Sequence, residues 1–149
     1  MTEPSSLLPR LLRIDHVGIA VRDLEASMEF YSSTFGLTVA GRETNEPQGV
    51  REAMLFVNDG PNGTSYVQLL EPLAEDTAVG KFLATRGEGV HHIGYGVADV
   101  AAELERLRSE GIRLVDERPR HGSLGASIAF LHPKSVGGVL TELVQAMER

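Results

Sequence analysis

Two stretches of this chain can be laid one over the other: IDHVGIAVRDLEASMEFYSSTFGLTV, residues 14–39, and VHHIGYGVADVAAELERLRSEGIRLV, residues 90–115. At a constant offset of 76, His16 falls on His92, Gly18 on Gly94, Val21 on Val97, Asp23 on Asp99 and Ala26 on Ala102; after one deletion Gly36 falls on Gly111. Further along, YVQLLEP (66–72) matches LTELVQ (140–145) and sets Gln68 on Glu142 at an offset of 74. Internal self-similarity constrains architecture more than composition does, because both halves must fold as copies of one unit. The modules run over about residues 14–72 and 90–145.

Each half follows one grammar. An alternating strand ends at Asp23 or Asp99, whose carboxylate suits a helix N-cap because it accepts from free N–H groups of the first turn. Leu24, Met28, Tyr31 and Phe35 in one half, and Val100, Leu104 and Leu107 in the other, recur at three- and four-residue spacing and give each helix one apolar face. Gly36 and Gly111 are expected to end these helices as C-terminal caps. Three strand-like stretches follow in each half: LTVAGRE, EAMLFV and SYVQLL, then IRLVDE, SIAFLH and VLTELV. The expected inventory is one helix and four strands per half, with NDGPNGTS as a hairpin connection and a short linking helix within EDTAVGKFLATRGEG.

With 149 residues, 42% of them hydrophobic and 23% charged, the chain has room for one globular domain over residues 14–145 and no second. Residues 1–13 read as a flexible leader and 146–149 as a tail. A net charge of -7 argues against nucleic-acid and anionic-membrane partners. The leader lacks the apolar run of a signal peptide, and no stretch reaches membrane-span length, so a cytoplasmic protein is expected. No cysteine is present, which leaves His, carboxylate or amide oxygen as the ligands for any metal.

Strand alternation sorts the candidates. On the first strand Asp15, Val17, Ile19 and Val21 share the face expected to pack on the helix, while His16, Gly18 and Ala20 share the other, where small residues leave room. In the second half His91, Ile93, Tyr95 and Val97 take the apolar side, and His92, Gly94 and Gly96 repeat the cleared one. His92 is thus the functional candidate, and His91 is expected to be a strand-start or edge residue. Gln68 and Glu142 lie among apolar same-face neighbours, where an unpartnered carboxylate would protonate or find a cation. Taken singly, either histidine reads as a hydrogen-bonded core residue and Glu142 as an edge ion pair. Taken jointly, two pairs at matching repeat positions point to one shared site, with a divalent metal held by His16, Gln68, His92 and Glu142.

DHVGIAV, NEPQGVREAML, QLLEP, GEGVHHIGYGV and FLHPKSVGGVLTELV closely resemble methylmalonyl-CoA epimerases of the vicinal oxygen chelate superfamily, from about residue 14 to residue 145. DHVGIAV is shared across that superfamily; QGVREAML with HPKSVGGVLTEL is more specific. The resemblance implies an α+β fold in which two tandem βαβββ modules form a curved eight-stranded mixed sheet with a metal-binding cleft, commonly in a homodimer. His16, Gln68, His92 and Glu142 match the family's metal ligands, and Glu52 matches its proposed catalytic carboxylate. The implied ion is divalent, with cobalt favoured; nitrogen and oxygen donors also suit manganese, nickel or zinc.

The implied reaction removes the C2 proton of a methylmalonyl thioester from one face and returns one on the other, through an enolate steadied by the metal. Glu52 is the first proton carrier, and Glu142 or a water the second. The coenzyme A phosphates call for cations, for which Arg118, Arg120 and Lys134 stand available with Ser135 and the loop GSLG. A glyoxalase I-type lyase, an extradiol dioxygenase and a non-enzymatic binding module of the same fold are the competing readings. The dioxygenase leaves Gln68 without a ligand role, and the binding module usually dispenses with the metal.

Overall fold

Asp23 and Asp99 open the two module helices, each accepting a hydrogen bond of 3.0 Å from the backbone N–H three residues on, at Ala26 and Ala102. Helix α1 runs Leu24–Phe35 and is closed by Gly36 in the left-handed region at φ 73. The corresponding helix of the second module, α3, runs Val100–Ser109 and is capped by Glu110, with Gly111 following at φ 82. Each helix is also tied to the last strand of its own module: Glu71 Oε1 accepts from Leu24 N at 2.8 Å, and its repeat mate Gln145 accepts from Val100 N at 3.0 Å.

The computed structural model describes residues 10–58 and 65–147; the expected turn NDGPNGTS, apart from its end residues, and most of the expected leader lie outside them. Eight strands form one sheet: β1 (Arg13–Ala20), β2 (Thr38–Asn45), β3 (Val50–Asn58), β4 (Ser65–Pro72), β5 (Gly89–Gly96), β6 (Arg120–His121), β7 (Ser127–Leu131) and β8 (Thr141–Gln145). Their order is β2-β3-β4-β1-β5-β8-β7-β6, with β1 parallel to β4, β5 parallel to β8, and β1 antiparallel to β5 at the junction. The mixed sheet curls into a half-barrel, as two βαβββ modules in tandem require. Among the described residues no helix is long and apolar enough to cross a membrane.

The core is one core built twice. Val21, Leu24, Met28, Ala53, Leu55 and Leu69 are buried between α1 and the first half-sheet. Val97, Val100, Leu104, Ala129, Leu131 and Leu143 do the same under α3, and every member is the repeat mate of one in the first set. These apolar faces hold the helices on the convex side and leave the opposite face free for polar groups. The linking helix α2 (Ala78–Arg86), capped by Thr77, has no counterpart among the described residues. Its Val79 and Leu83 pack on Ala20, Val50 and Leu70, so it roofs one end of the concave face.

One expected strand is missing. IRLVDE makes only an isolated bridge, Leu114 to Leu131, and the edge strand shrinks to Arg120–His121. The Phe130 carbonyl accepts from both Val115 N and Asp116 N, and the Asp116 carboxylate takes the Phe130 N–H at 2.8 Å. A side chain has occupied the ladder's donor, and Pro119 offers none, so pairing stops.

Candidate metal centre

Across the concave face the register sets two rows. His16 on β1 stands beside Gly94 on β5 and then Glu142 on β8; Gln68 on β4 stands beside Gly18 on β1 and then His92 on β5. In each row a glycine separates the two functional side chains, and an imidazole lies over it. A Cβ on Gly18 would lie 2.6 Å from Nδ1 of His92, and one on Gly94 would lie 2.6 Å from Nδ1 of His16. The glycines of the repeat are therefore steric vacancies for the rings. Gly94→Ala is expected to push His16 off the centre, lowering stability by about 1–3 kcal/mol and, if the centre holds a divalent ion, weakening its binding at least about tenfold. Chelator competition and urea unfolding measure the two; wild-type affinity would show that the ring has room to spare.

With those rings in place, His16, His92 and Glu142 offer ligand atoms that lie within 4.8 Å of one another, and all three residues are buried. The two Nε2 atoms are 3.0 Å apart, and each is 2.9 Å from Oε1 of Glu142. Burial lowers the His16 ring, but its bonds to Asp15 and Glu142 outweigh this and raise it to about 9. Burial works to raise Glu142, yet the two imidazoles together hold it at about 2, an anion. His92 is pushed down by burial, with Glu142 opposing, which favours the neutral ring a metal needs.

Gln68 supplies the test of fit. Its amide nitrogen donates to Glu52 Oε1 at 2.7 Å and to Ser123 Oγ at 3.0 Å, while its oxygen is buried with no hydrogen-bond partner among the described residues. A buried amide oxygen without a donor is uncommon in a folded protein. A divalent cation would supply such a partner, and the donor set of two nitrogens and two oxygens is compatible with one.

Glu52, on β3, completes the site. It is buried, it accepts from Gln68, and its Oε1 is hydrogen-bonded by the Ser123 hydroxyl. Burial raises its pKa against the bonds from Ser123 and Gln68, and Glu43 and Glu142 push in the same upward direction. Two carboxylates at one centre are thus driven apart, one up and one down.

Two expectations about facing need correction. The β1–β5 register steps from Ile14–Tyr95 to His16–Gly94, and from Gly18–His92 to Ile19–Val90, so Asp15 and His91 are each an extra residue in a bulge. A bulge suspends alternation. Asp15 does not join the helix-packing face: its Oδ1 accepts from His16 Nδ1 at 2.8 Å, and Arg13 pairs with its other oxygen at 3.0 Å. His91, near the start of β5, likewise leaves the apolar face expected for it: its Nδ1 lies 3.0 Å from Nδ1 of His92. Burial and the neighbouring His92 lower its pKa to about 4.

A cavity of about 490 Å³ opens beside His91 and His92, walled by Val50, Leu70, Val79, Phe130 and Leu140 and flanked by Arg120. Another, of about 250 Å³, lies at the Arg13 end of β1, between Met54, Tyr66, Ser123 and Val144. Arg120 sits 3.3 Å from Asp116, with its guanidinium 5.7 Å from the centre of the Phe130 ring. Arg118 and Lys134 are exposed, the Ser135 hydroxyl accepts from Arg113 N at 2.9 Å, and none of the three lines either cavity. No sequence signal points to Ser123. Its loop GSLG is legible as a turn, but nothing local signals a reach to Glu52; the adjacent Leu124 is held at φ 56, a conformation that tends to mark functional turns.

A family model described as the Glyoxalase/Bleomycin resistance protein/Dioxygenase superfamily matches residues 15–130. An ethylmalonyl-CoA/methylmalonyl-CoA epimerase of Cereibacter sphaeroides is 38% identical over 135 residues, covering 89% of this chain and 97% of its own length. A variant of Streptomyces coelicolor methylmalonyl-CoA epimerase in complex with 2-nitronate-propionyl-CoA superimposes with a TM-score of 0.89 at 56% identity, covering 93% of this chain and 99% of that one. A methylmalonyl-CoA epimerase in complex with methylmalonyl-CoA and NH4+ does so with a TM-score of 0.88 at 58% identity, covering 91% and 95%.

Proposed function

From a chain that belongs to the glyoxalase/bleomycin resistance/dioxygenase superfamily and, within it, to the methylmalonyl-CoA epimerases, we propose a metal-dependent epimerase that interconverts (2R)- and (2S)-methylmalonyl-CoA. The observation that carries the reading is the buried convergence of His16, His92 and Glu142 beside an amide oxygen of Gln68 that lacks a donor, with Glu52 held against the same amide.

His16, Gln68, His92 and Glu142 would hold the ion. When bound, a divalent cation supplies a Lewis acid that favours negative charge on carboxylate and thioester oxygens, and cobalt is the ion we assign. Glu52 takes the C2 proton: its carboxylate is aimed by Gln68 and Ser123, and its burial makes it a stronger base than an exposed glutamate. Return of a proton on the other face falls to Glu142, in addition to its role as ligand, or to a water; with Glu142 held as an anion, the water is the favoured donor. The likeness to an epimerase that binds a nitronate supports an enolate, since a nitronate is likewise a planar anion with charge on oxygen.

The larger cavity is the proposed seat of the acyl-CoA. Phe130, Leu140, Val50 and Leu70 give it an apolar wall, and Arg120 is the cation at its side. Arg118 and Lys134, exposed beyond it, are proposed to meet the coenzyme A phosphates.

The experiment combines metal removal with isotope exchange. Purified protein incubated with methylmalonyl-CoA in deuterated water is expected to wash deuterium into C2, to stop doing so after chelation, and to resume on addition of Co2+. Exchange that survives complete removal of metal would overturn the mechanism. Turnover of the glutathione–methylglyoxal adduct in place of C2 exchange would move the chain to the lyases.

A further inference from the structure

The two bulges at the β1–β5 junction occupy matching places in the repeat, and each brings its extra residue onto the Nδ1 of the histidine that follows: Asp15 onto His16 at 2.8 Å, His91 onto His92 at 3.0 Å. The chemistry of the two contacts is not the same. A histidine that presents the Nε2 lone pair to a cation carries its proton on Nδ1, and that proton is directed by whatever accepts it. For His16 the acceptor is a carboxylate oxygen. For His92 it is the ring nitrogen of a second imidazole, and two Nδ1 atoms at 3.0 Å share one proton between them. If His92 donates, His91 offers its Nδ1 lone pair and keeps its own proton on Nε2. The His91 ring is fixed for this by Phe82 on α2, which stands against it with ring centres 5.1 Å apart and planes at 76°.

We infer that His91 is a positioning residue: it accepts the Nδ1 proton of His92 and so fixes the tautomer and aim of that ligand, as Asp15 does for His16. This rests on reading His16, Gln68, His92 and Glu142 as metal ligands. The neutral acceptor also has a consequence for charge. Asp15, Glu52 and Glu142 already bring three carboxyl groups to the centre, and an aspartate at the second bulge would add a fourth. An imidazole aims His92 without reducing the pull of the ion on substrate oxygens.

The test compares His91→Phe with His91→Asn. Phenylalanine keeps an aromatic ring against Phe82 but accepts no hydrogen bond; asparagine is smaller, yet its amide oxygen stands about where Nδ1 stood. The readouts are Co2+ affinity by competition with a chromogenic chelator and the imidazole 1H–15N spectrum of the Zn2+-loaded protein. In the wild type a slowly exchanging His92 Nδ1–H is expected. In His91→Phe that proton should exchange freely and Co2+ affinity should fall roughly 10–100-fold, while His91→Asn should retain both. Wild-type affinity with a protected proton in His91→Phe overturns the inference, as does an equal loss in His91→Asn, which would mean that ring shape and not the hydrogen bond matters. A wild-type protein that takes up neither ion overturns the ligand assignment, and the inference with it, by a result that neither variant can mimic.

Discussion

Glu52→Gln is expected to leave metal content at the wild-type level and to slow C2 deuterium exchange by roughly 10²–10⁴-fold, the usual contribution of a positioned general base. The substitution is close in shape, so what changes is the chemistry of one oxygen. Glu52 Oε1 now accepts from Gln68 Nε2 at 2.7 Å and from the Ser123 hydroxyl. A glutamine amide with its oxygen in that place keeps both bonds, and the fold has no reason to move. It has no lone pair with the basicity to take a proton from carbon. Because burial raises the Glu52 pKa, the wild-type carboxylate is a better base than its exposed counterparts, and the loss on neutralising it is correspondingly large. Metal content by elemental analysis and the initial rate of deuterium incorporation decide the matter together. Wild-type exchange in Glu52→Gln places the base elsewhere; lost metal with lost exchange would make Glu52 a support of Gln68 instead of a proton carrier.

How far such a site can be read before any coordinates depends on which rule each residue obeys. The placement of His16, His92, Gln68 and Glu142 is legible because the repeat aligns them and because alternation holds at all four positions, each buried on the cleared face beside a glycine or an apolar residue. The twin cores were legible for the same reason, down to Ala53 opposite Ala129. Asp15 and His91 were misplaced because each is the extra residue of a bulge, and period-two counting flips the facing of such a residue. The repeat already held the clue that both depart at the same position. The strand expected over IRLVDE failed for a local reason, since Asp116 competes for the backbone donor of Phe130. Ser123 lies 71 residues from Glu52, and no spacing rule on one chain pairs a turn hydroxyl with a carboxylate at that distance. Arg118, Arg120, Lys134 and Ser135 stand out in the sequence by charge and loop setting alone, signals that carry no facing, and of the four Arg120 lines the larger of the two cavities while the others line neither.

His92→Ala carries the other large effect, and it acts at the ion. The substitution removes the imidazole whose Nε2 stands 2.9 Å from Glu142 Oε1 and 3.0 Å from His16 Nε2, leaving a gap beside Gly18 among the rings of His16, His91 and Phe130. Co2+ affinity is expected to drop by well beyond the roughly 10–100-fold typical of residues that merely orient a ligand, and metal-dependent exchange should vanish with it. In the metal-free protein the cost is moderated. Glu142 keeps His16, whose ring is raised to about 9, so the buried carboxylate still has a cationic partner at neutral pH. The variant should therefore fold, with a stability loss of about 2–4 kcal/mol in the range of large-to-small core changes, and circular dichroism with urea unfolding checks this. Chelator competition then separates the outcomes. A folded His92→Ala protein that binds Co2+ as tightly as the wild type would remove His92 from the centre, and with it the symmetry argument that joins the two halves of the chain around one ion.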